Sequence, residues 1–239
     1  MLKIIVIFLK SFPSAVAFLW RAFDMKVHRE RYTAQERYAF VRKYIYILQK
    51  KGRIRTEVFG AGNLPAAGAY IMYSNHQGKY DAPGIVGAHE RPCSVMAEKR
   101  RSWLIFAYQF IDLLEGVRLD RTSMRTQAQG IRQVIEKVRG GKPFIIFPEG
   151  GYKKNRNEVR QFMPGAFKCA MKAKCPIVPV VLVDSYKAFE FRLFGTVRTQ
   201  VHFLPPIQYE EYRDMRSCEI ADLVRSQIME KIDSVVSAQ

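Results

Sequence analysis

The sequence predicts an α/β fold with a single central, mixed but mostly parallel sheet flanked by helices. Three observations carry this expectation. Short β-rich runs alternate with longer helical stretches, the runs are mostly apolar, and glycine or proline marks several of the junctions. Strands that are apolar on both faces need cover on both faces, which places helices above and below one sheet.

The elements follow in order. Met1–Phe23 (MLKIIVIFLKSFPSAVAFLWRAF) is the most apolar stretch, interrupted by Lys10 and Pro13. It admits three readings: a signal peptide with Ala15-Val16-Ala17 as a cleavage-like site, a spanning helix, or a surface anchor. A span needs about 20 nearly uninterrupted apolar residues, and the uncharged pieces here are only Ile4–Leu9 and Ser11–Trp20. Shallow insertion is therefore the expectation, with Lys3, Lys10 and Arg21 reaching headgroups and Trp20 at the interface. Thr33-Ala34-Gln35-Glu36 is a capping-box pattern opening a second helix. That helix is either a core helix with a solvated basic face or a second anchor.

Beyond Arg53 the expected strands are 57–59, 70–73, 94–96, 116–119, 144–147, 177–183 and 199–203. The expected helices are about 82–90, 102–114, 123–139, 165–173 and 209–236. Gly140-Gly141 ends one helix and Pro143 opens the next strand. No repeat or low-complexity linker divides this body. The reading is residues 1–53 as a basic, apolar helical anchor and 54–239 as one domain.

Charge narrows the partners. Lys+Arg number 39 against 22 Asp+Glu, for a net charge of +17. Residues 1–53 alone hold twelve Lys/Arg and three Asp/Glu, a surplus of nine, in the same stretch as the apolar run. Basic and apolar together point to an anionic lipid surface more than to nucleic acid. The aromatic-plus-basic ladder of a single-strand binder is missing. Cys93, Cys169, Cys175 and Cys218 form no CxxC pair, which suits core thiols in a reducing compartment. His89 and Cys93 lie four apart with no second ligand pair, so no metal site is expected.

Two loops just after strands carry the chemistry: Ser74-Asn75-His76-Gln77-Gly78-Lys79-Tyr80-Asp81 and Phe147-Pro148-Glu149-Gly150-Gly151-Tyr152-Lys153-Lys154. A neutral imidazole can take a hydroxyl proton near neutral pH, and a carboxylate on its other nitrogen fixes the tautomer. Five residues along a straight helix would turn the two side chains about 500° apart. His76 must therefore lie in a turn, with Asp81 opening the next helix; Gly78 and Pro83 fit that geometry. Gly150 and Gly151 allow backbone N–H groups to approach an oxyanion or phosphate, and Glu149 suits a glycerol hydroxyl. Arg121 ends the strand Gly116-Val-Arg-Leu-Asp and suits bidentate phosphate binding.

Across about residues 55–205 these motifs resemble the glycerolipid acyltransferases typified by bacterial lysophosphatidic acid acyltransferase. Asn75-His76 with Asp81 is similar to the family's NHxxxxD motif, and Gly116–Arg121 to its second motif. Phe147–Gly150 matches FPEG, and Ile177-Val178-Pro179-Val180 the proline-containing strand. The resemblance implies His76 as general base, Asp81 as its partner, and an acceptor held by Arg121, Glu149, Gly150, Gly151, Lys153 and Asn75. It implies an acyl-CoA or acyl carrier protein donor, no metal and no cofactor. The acceptor would be the sn-2 hydroxyl of 1-acyl-glycerol 3-phosphate, and the location the cytoplasmic face of the cell membrane, bound monotopically. One departure stands out: the family's usual Thr-Arg-Ser after FPEG is Gly151-Tyr152-Lys153 here, leaving Lys153 or Lys154 to supply the charge. The acyl chain needs an apolar tunnel, with Trp103, Leu104, Phe106 and Phe110 as candidates beside an ordinary core role. Rival readings are transfer to another lyso-lipid or to glycerol 3-phosphate, and a non-catalytic basic membrane- or nucleic-acid-binding module.

Overall fold

The structure, a computed structural model, describes residues 12–102, 105–190 and 195–238. Within them, α1 (Phe12–Val27) and α2 (Ala34–Gly52) lead into β1 (Ile54–Phe59) and β2 (Ile71–Ser74). Then come α3 (Asp81–Ala88), β3 (Ser94–Glu98), α4 (Ile105–Leu113), β4 (Val117–Leu119), α5 (Met124–Arg139) and β5 (Phe144–Ile146). α6 (Pro164–Ala173), β6 (Ile177–Val183), β7 (Val197–Phe203), α7 (Tyr209–Tyr212) and α8 (Ser217–Val236) complete the chain. All seven expected strands are present. The single closing helix expected over 209–236 is two helices, with Arg213–Arg216 between them.

The strand order is β1-β7-β6-β2-β5-β3-β4. β2 to β6 all run parallel to one another. β7 runs antiparallel to β6 and parallel to β1, which makes the sheet mixed. Pro179, which cannot donate to a ladder, falls one residue outside the stretch Val180–Val183 that pairs with β7.

Strand side chains alternate between two cores. Ile71 and Tyr73 join α5, α6 and α8 on one face, while Met72 joins α1–α4 on the other. Local signals fix the helix ends. Thr33 and Glu36 form a reciprocal capping box on α2, with Glu36 N–H to Thr33 Oγ1 at 3.2 Å and Thr33 N–H to Glu36 Oε2 at 2.7 Å. Gly140 caps α5 before Gly141 turns at φ 92°.

α1 is apolar on two sides. Ala15, Phe18, Ala22 and Met25 are buried, and Phe18 stacks on Phe40 of α2 with ring centroids 5.5 Å apart. Phe12, Val16, Trp20, Phe23 and Val27 instead form an exposed stripe. The boundary at residue 53 is thus one of composition, since α1 and α2 share a core with the sheet. No helix among the described residues is long and apolar enough to cross a membrane. The first eleven residues of the expected anchor lie outside the described residues, as do Trp103 and Leu104 of the expected tunnel. Phe110 packs beside the core, and Phe106 is partly exposed near Phe18.

His89 is a fully buried core histidine, bonded to the Tyr70 hydroxyl and the Arg91 carbonyl, both at 2.6 Å. Burial pushes its pKa down to about 4. Cys93, Cys169 and Cys175 are buried free thiols, and among the described residues no cluster of His, Cys, Asp and Glu could hold a metal ion.

Candidate active site

Parallel strands that share a direction bring their carboxyl ends to one edge, and the loops there carry the site. β2 delivers Asn75 and His76, β5 delivers Glu149, β6 delivers Ser185 and β4 delivers Arg121. Asp81 is the first residue of α3, as the turn geometry requires.

His76 Nδ1 lies 2.6 Å from Asp81 Oδ2. The same oxygen accepts from the backbone N–H of Gln77 at 2.5 Å and of Gly78 at 2.8 Å. The Ser185 hydroxyl donates to Oδ1 at 2.5 Å. Asp81 is fully buried, and these donors take the place of water around its carboxyl oxygens. The imidazole sits on Phe147, stacked at 4.3 Å, with Tyr152 edge-on at 4.7 Å. With Nδ1 engaged and the ring held from two sides, Nε2 has no hydrogen-bond partner among the described residues.

Glu149 belongs to the same assembly. Its Oε1 accepts from the His76 backbone N–H at 2.8 Å, and Oε2 lies 3.5 Å from Asn155 Nδ2. Burial pushes its carboxyl up to about 7, against the pull of the His76 and Arg160 backbone N–H groups and their charges. An unfolded Glu titrates near 4.5, so the folded chain holds this proton more tightly. The associated stability is full below about pH 4.5 and is lost as pH rises through about 7. Glu149→Gln keeps an acceptor for His76 N–H and removes the buried charge. It is expected to melt higher than wild type at pH 8, by up to about 3 kcal/mol less the weakened Asn155 contact, with no gain at pH 4.5. Calorimetry at the two pH values checks this; an equal difference at both would mean that the charge is not the cause.

Arg121 is exposed, and its Nη1 bonds the Gly150 carbonyl at 3.1 Å. Gly150 has φ +72°, and a Cβ there would meet Met163 Sδ at 2.9 Å and Arg121 Nη2 at 3.0 Å. The left-handed backbone favours glycine there, and a side chain would have to displace the ends of Met163 and Arg121. Gly151 follows at φ 142° and accepts from Arg160 Nη1 at 3.3 Å.

Two expected acceptor residues stand apart from this group. Asn75 is fully buried; its Nδ2 donates to Leu182 O at 2.9 Å and its Oδ1 accepts from Leu182 N–H at 2.8 Å. Its amide therefore braces β2 against β6 where the expected contact was with the acceptor. Lys153 is exposed, and its described bonds are both through its backbone to Asn155, its N–H to Oδ1 at 3.2 Å and its carbonyl from the Asn155 N–H at 2.5 Å.

Several contributors escaped sequence reading. Ser185 is 104 positions from Asp81. Gln77 ties the His76 loop to Leu182 O at 2.8 Å and to Asn157 Oδ1 at 3.0 Å. Asn155 Nδ2 donates to His76 O at 3.2 Å.

A histidine held by a buried carboxylate at the carboxyl edge of a mostly parallel sheet is an arrangement that can take a proton from a hydroxyl. The family model described as Acyltransferase matches residues 55–183, more than half of the chain. The protein belongs to the acyltransferase family. The 1-acyl-sn-glycerol-3-phosphate acyltransferase alpha of Ovis aries is 30% identical over 191 residues, covering 78% of this chain and 64% of that protein. The 1-acyl-sn-glycerol-3-phosphate acyltransferase of Escherichia coli (strain K12) is 29% identical over 167 residues, covering 69% and 67%. This chain thus spans less than two thirds of the sheep relative's length. The crystal structure of the 1-acyl-sn-glycerophosphate (LPA) acyltransferase PlsC from Thermotoga maritima shares the fold, with TM-score 0.73 and 22% identity over 98% of this chain and 95% of that one.

Proposed function

We propose that the protein transfers a fatty acyl group from acyl-CoA or acyl carrier protein to the sn-2 hydroxyl of 1-acyl-glycerol 3-phosphate, giving phosphatidic acid. The observation that carries the reading is the His76–Asp81 pair, with Asp81 locked by three further donors. The family and the names of its relatives support acyl transfer and the 1-acyl-glycerol 3-phosphate acceptor.

In this reading His76 Nε2 takes the hydroxyl proton as the oxygen attacks the thioester carbonyl. Asp81 steadies the imidazolium. The tetrahedral intermediate then collapses, the C–S bond breaks, and the thiolate leaves with the proton from His76. No acyl-enzyme is needed. Glu149 and the Gly150-Gly151 turn form the floor on which the acceptor's polar end rests, and Arg121 meets its phosphate. The protein works monotopically on the cytoplasmic face of the cell membrane. The exposed stripe on α1 and the basic surplus of residues 1–53 support that placement.

The test is labelled acyl-CoA and acyl carrier protein offered with a panel of lyso-lipids and glycerol 3-phosphate, with products separated by chromatography. Phosphatidic acid is the expected dominant product. Preferential acylation of another lyso-lipid or of glycerol 3-phosphate would replace the acceptor assignment, and no acyl transfer with any pair would end the reading.

A further inference from the structure

FPEG is followed here by Gly-Tyr-Lys, so the cation that the family places in that turn is missing from its usual position. The structure brings another to the same turn from nine residues further on. Arg160 Nη1 bonds the Gly151 carbonyl at 3.3 Å, and Arg121 Nη1 bonds the adjacent Gly150 carbonyl at 3.1 Å. Two guanidinium groups from separate loops thus grip consecutive carbonyls of one glycine turn.

Both groups keep charge to spare. Among the described residues neither Arg121 nor Arg160 forms an ion pair with a carboxylate, and each spends only one described side-chain hydrogen bond on the turn. A guanidinium has five N–H donors in a planar fork, so most of each fork remains open. Arg160 is also anchored. Arg225 of α8 donates to the Arg160 and Val159 carbonyls, both at 3.1 Å. The backbone N–H groups of Arg160 and His76 both act on the Glu149 carboxyl. The cation is therefore wired to the loop that carries the candidate base. Lys153 and Lys154 are exposed, and neither has a described side-chain hydrogen bond to the turn.

We propose that Arg160, paired with Arg121, is the phosphate-binding cation of the acceptor site, taking the place that the sequence pattern had left to Lys153. The ligand class is a phosphate monoester on a glycerol backbone. This rests on the reading above that the acceptor bears a phosphate. An acceptor without a phosphate offers these two guanidinium groups no charged partner, so Arg160 governs the choice between phosphorylated and unphosphorylated lyso-lipids.

The experiment measures kcat/KM for 1-acyl-glycerol 3-phosphate and for 1-acyl-glycerol in mixed micelles, together with KM for acyl-CoA. Wild type, Arg160→Gln, Arg160→Lys and Lys153→Ala are compared. Glutamine retains a donor for the Gly151 carbonyl and removes only the charge, so the turn is preserved. Melting curves confirm that it is. A charge-assisted bond to phosphate is expected to account for roughly 10- to 100-fold in kcat/KM. Arg160→Gln should lose that factor for the phosphorylated acceptor, chiefly through KM. It should keep whatever activity wild type has on 1-acyl-glycerol and move the acyl-CoA KM less than about threefold. Arg160→Lys should recover little, because a point charge does not replace a fork. Loss of discrimination in Lys153→Ala with Arg160→Gln intact would overturn the proposal. So would a shift confined to the acyl-CoA KM, which would assign Arg160 to the donor's phosphates. Wild type that does not prefer the phosphorylated acceptor would instead overturn the acceptor assignment on which the proposal rests.

Discussion

His76→Ala is expected to reduce acyl transfer by about 10²–10⁴-fold in kcat with little change in melting temperature. That range is the usual contribution of a positioned general base. The side chain is partly exposed and contributes no core packing beyond its contacts with Phe147 and Tyr152. Asp81→Asn is the sharper variant. It places an amide where a fully buried carboxylate accepts from two backbone N–H groups and a hydroxyl. One amide oxygen cannot serve both sides, so an N–H must face a donor or the histidine must change tautomer. A kcat loss comparable to that of His76→Ala is expected, accompanied by a lower melting temperature, since buried donors lose their partner. The double variant should be little worse than either single one, because the pair acts as a unit. Activity within about threefold of wild type for His76→Ala would remove the proposed base.

The second large effect concerns the lipid surface. Deleting residues 1–23 would strip Ala15, Phe18 and Ala22 from the core and confuse anchoring with folding. The exposed stripe allows a cleaner change. Trp20 is 70% exposed and Phe23 61% exposed, so Trp20→Glu with Phe23→Glu alters the surface and leaves the packed face alone. Burying an aromatic side chain in the interface contributes roughly 1.5–3 kcal/mol at about 25 cal/mol per Å². Losing two is expected to weaken vesicle binding by about 10²-fold or more, on neutral and anionic vesicles alike. Salt should loosen the wild type only partly, because it screens the basic residues and not the apolar ones. Flotation at low and high salt, with both vesicle types, measures this. Full release of wild type by salt alone would make the N-terminus an electrostatic patch only.

How much of this was legible in the sequence depends on distance along the chain. All seven strands could be read because apolar runs and Gly/Pro breaks are local. The Thr33–Glu36 capping box was readable because both partners lie within one turn. The turn between His76 and Asp81 was readable for the same reason, with Gly78 and Pro83 between and beside them. Ser185, Asn155 and Arg160 were not. Each is an ordinary polar residue in a loop, and what recruits it is the register of strands far apart in sequence, such as β2 against β6. Asn75 shows the same dependence on distance. Its position beside the histidine indicated the acceptor, while its bonds to Leu182, 107 residues away, make it part of the sheet. Lys153 was favoured by adjacency, and adjacency along a loop says little about which way a side chain faces.

The order of strands has a consequence for how the chain matures. β1 precedes the other described strands along the chain, yet among the described residues it pairs only with β7, Ile54 against Val197, a separation of 143 residues. At synthesis rates of roughly 5–20 residues per second, β1 waits about 7–29 s for its neighbour to exist. Meanwhile its end carries Val58 and Phe59, the latter awaiting the His202 ring of β7 on which it stacks at 4.5 Å. The parallel block β2–β5 can assemble in that interval, and Asp81 still lacks Ser185 when it does. Ribosome-bound chains arrested before β6 should therefore hold a protease-resistant centre with a labile first strand and no transfer activity. The same molecule would acquire its edge and its working site almost together, once β6 and β7 have been made.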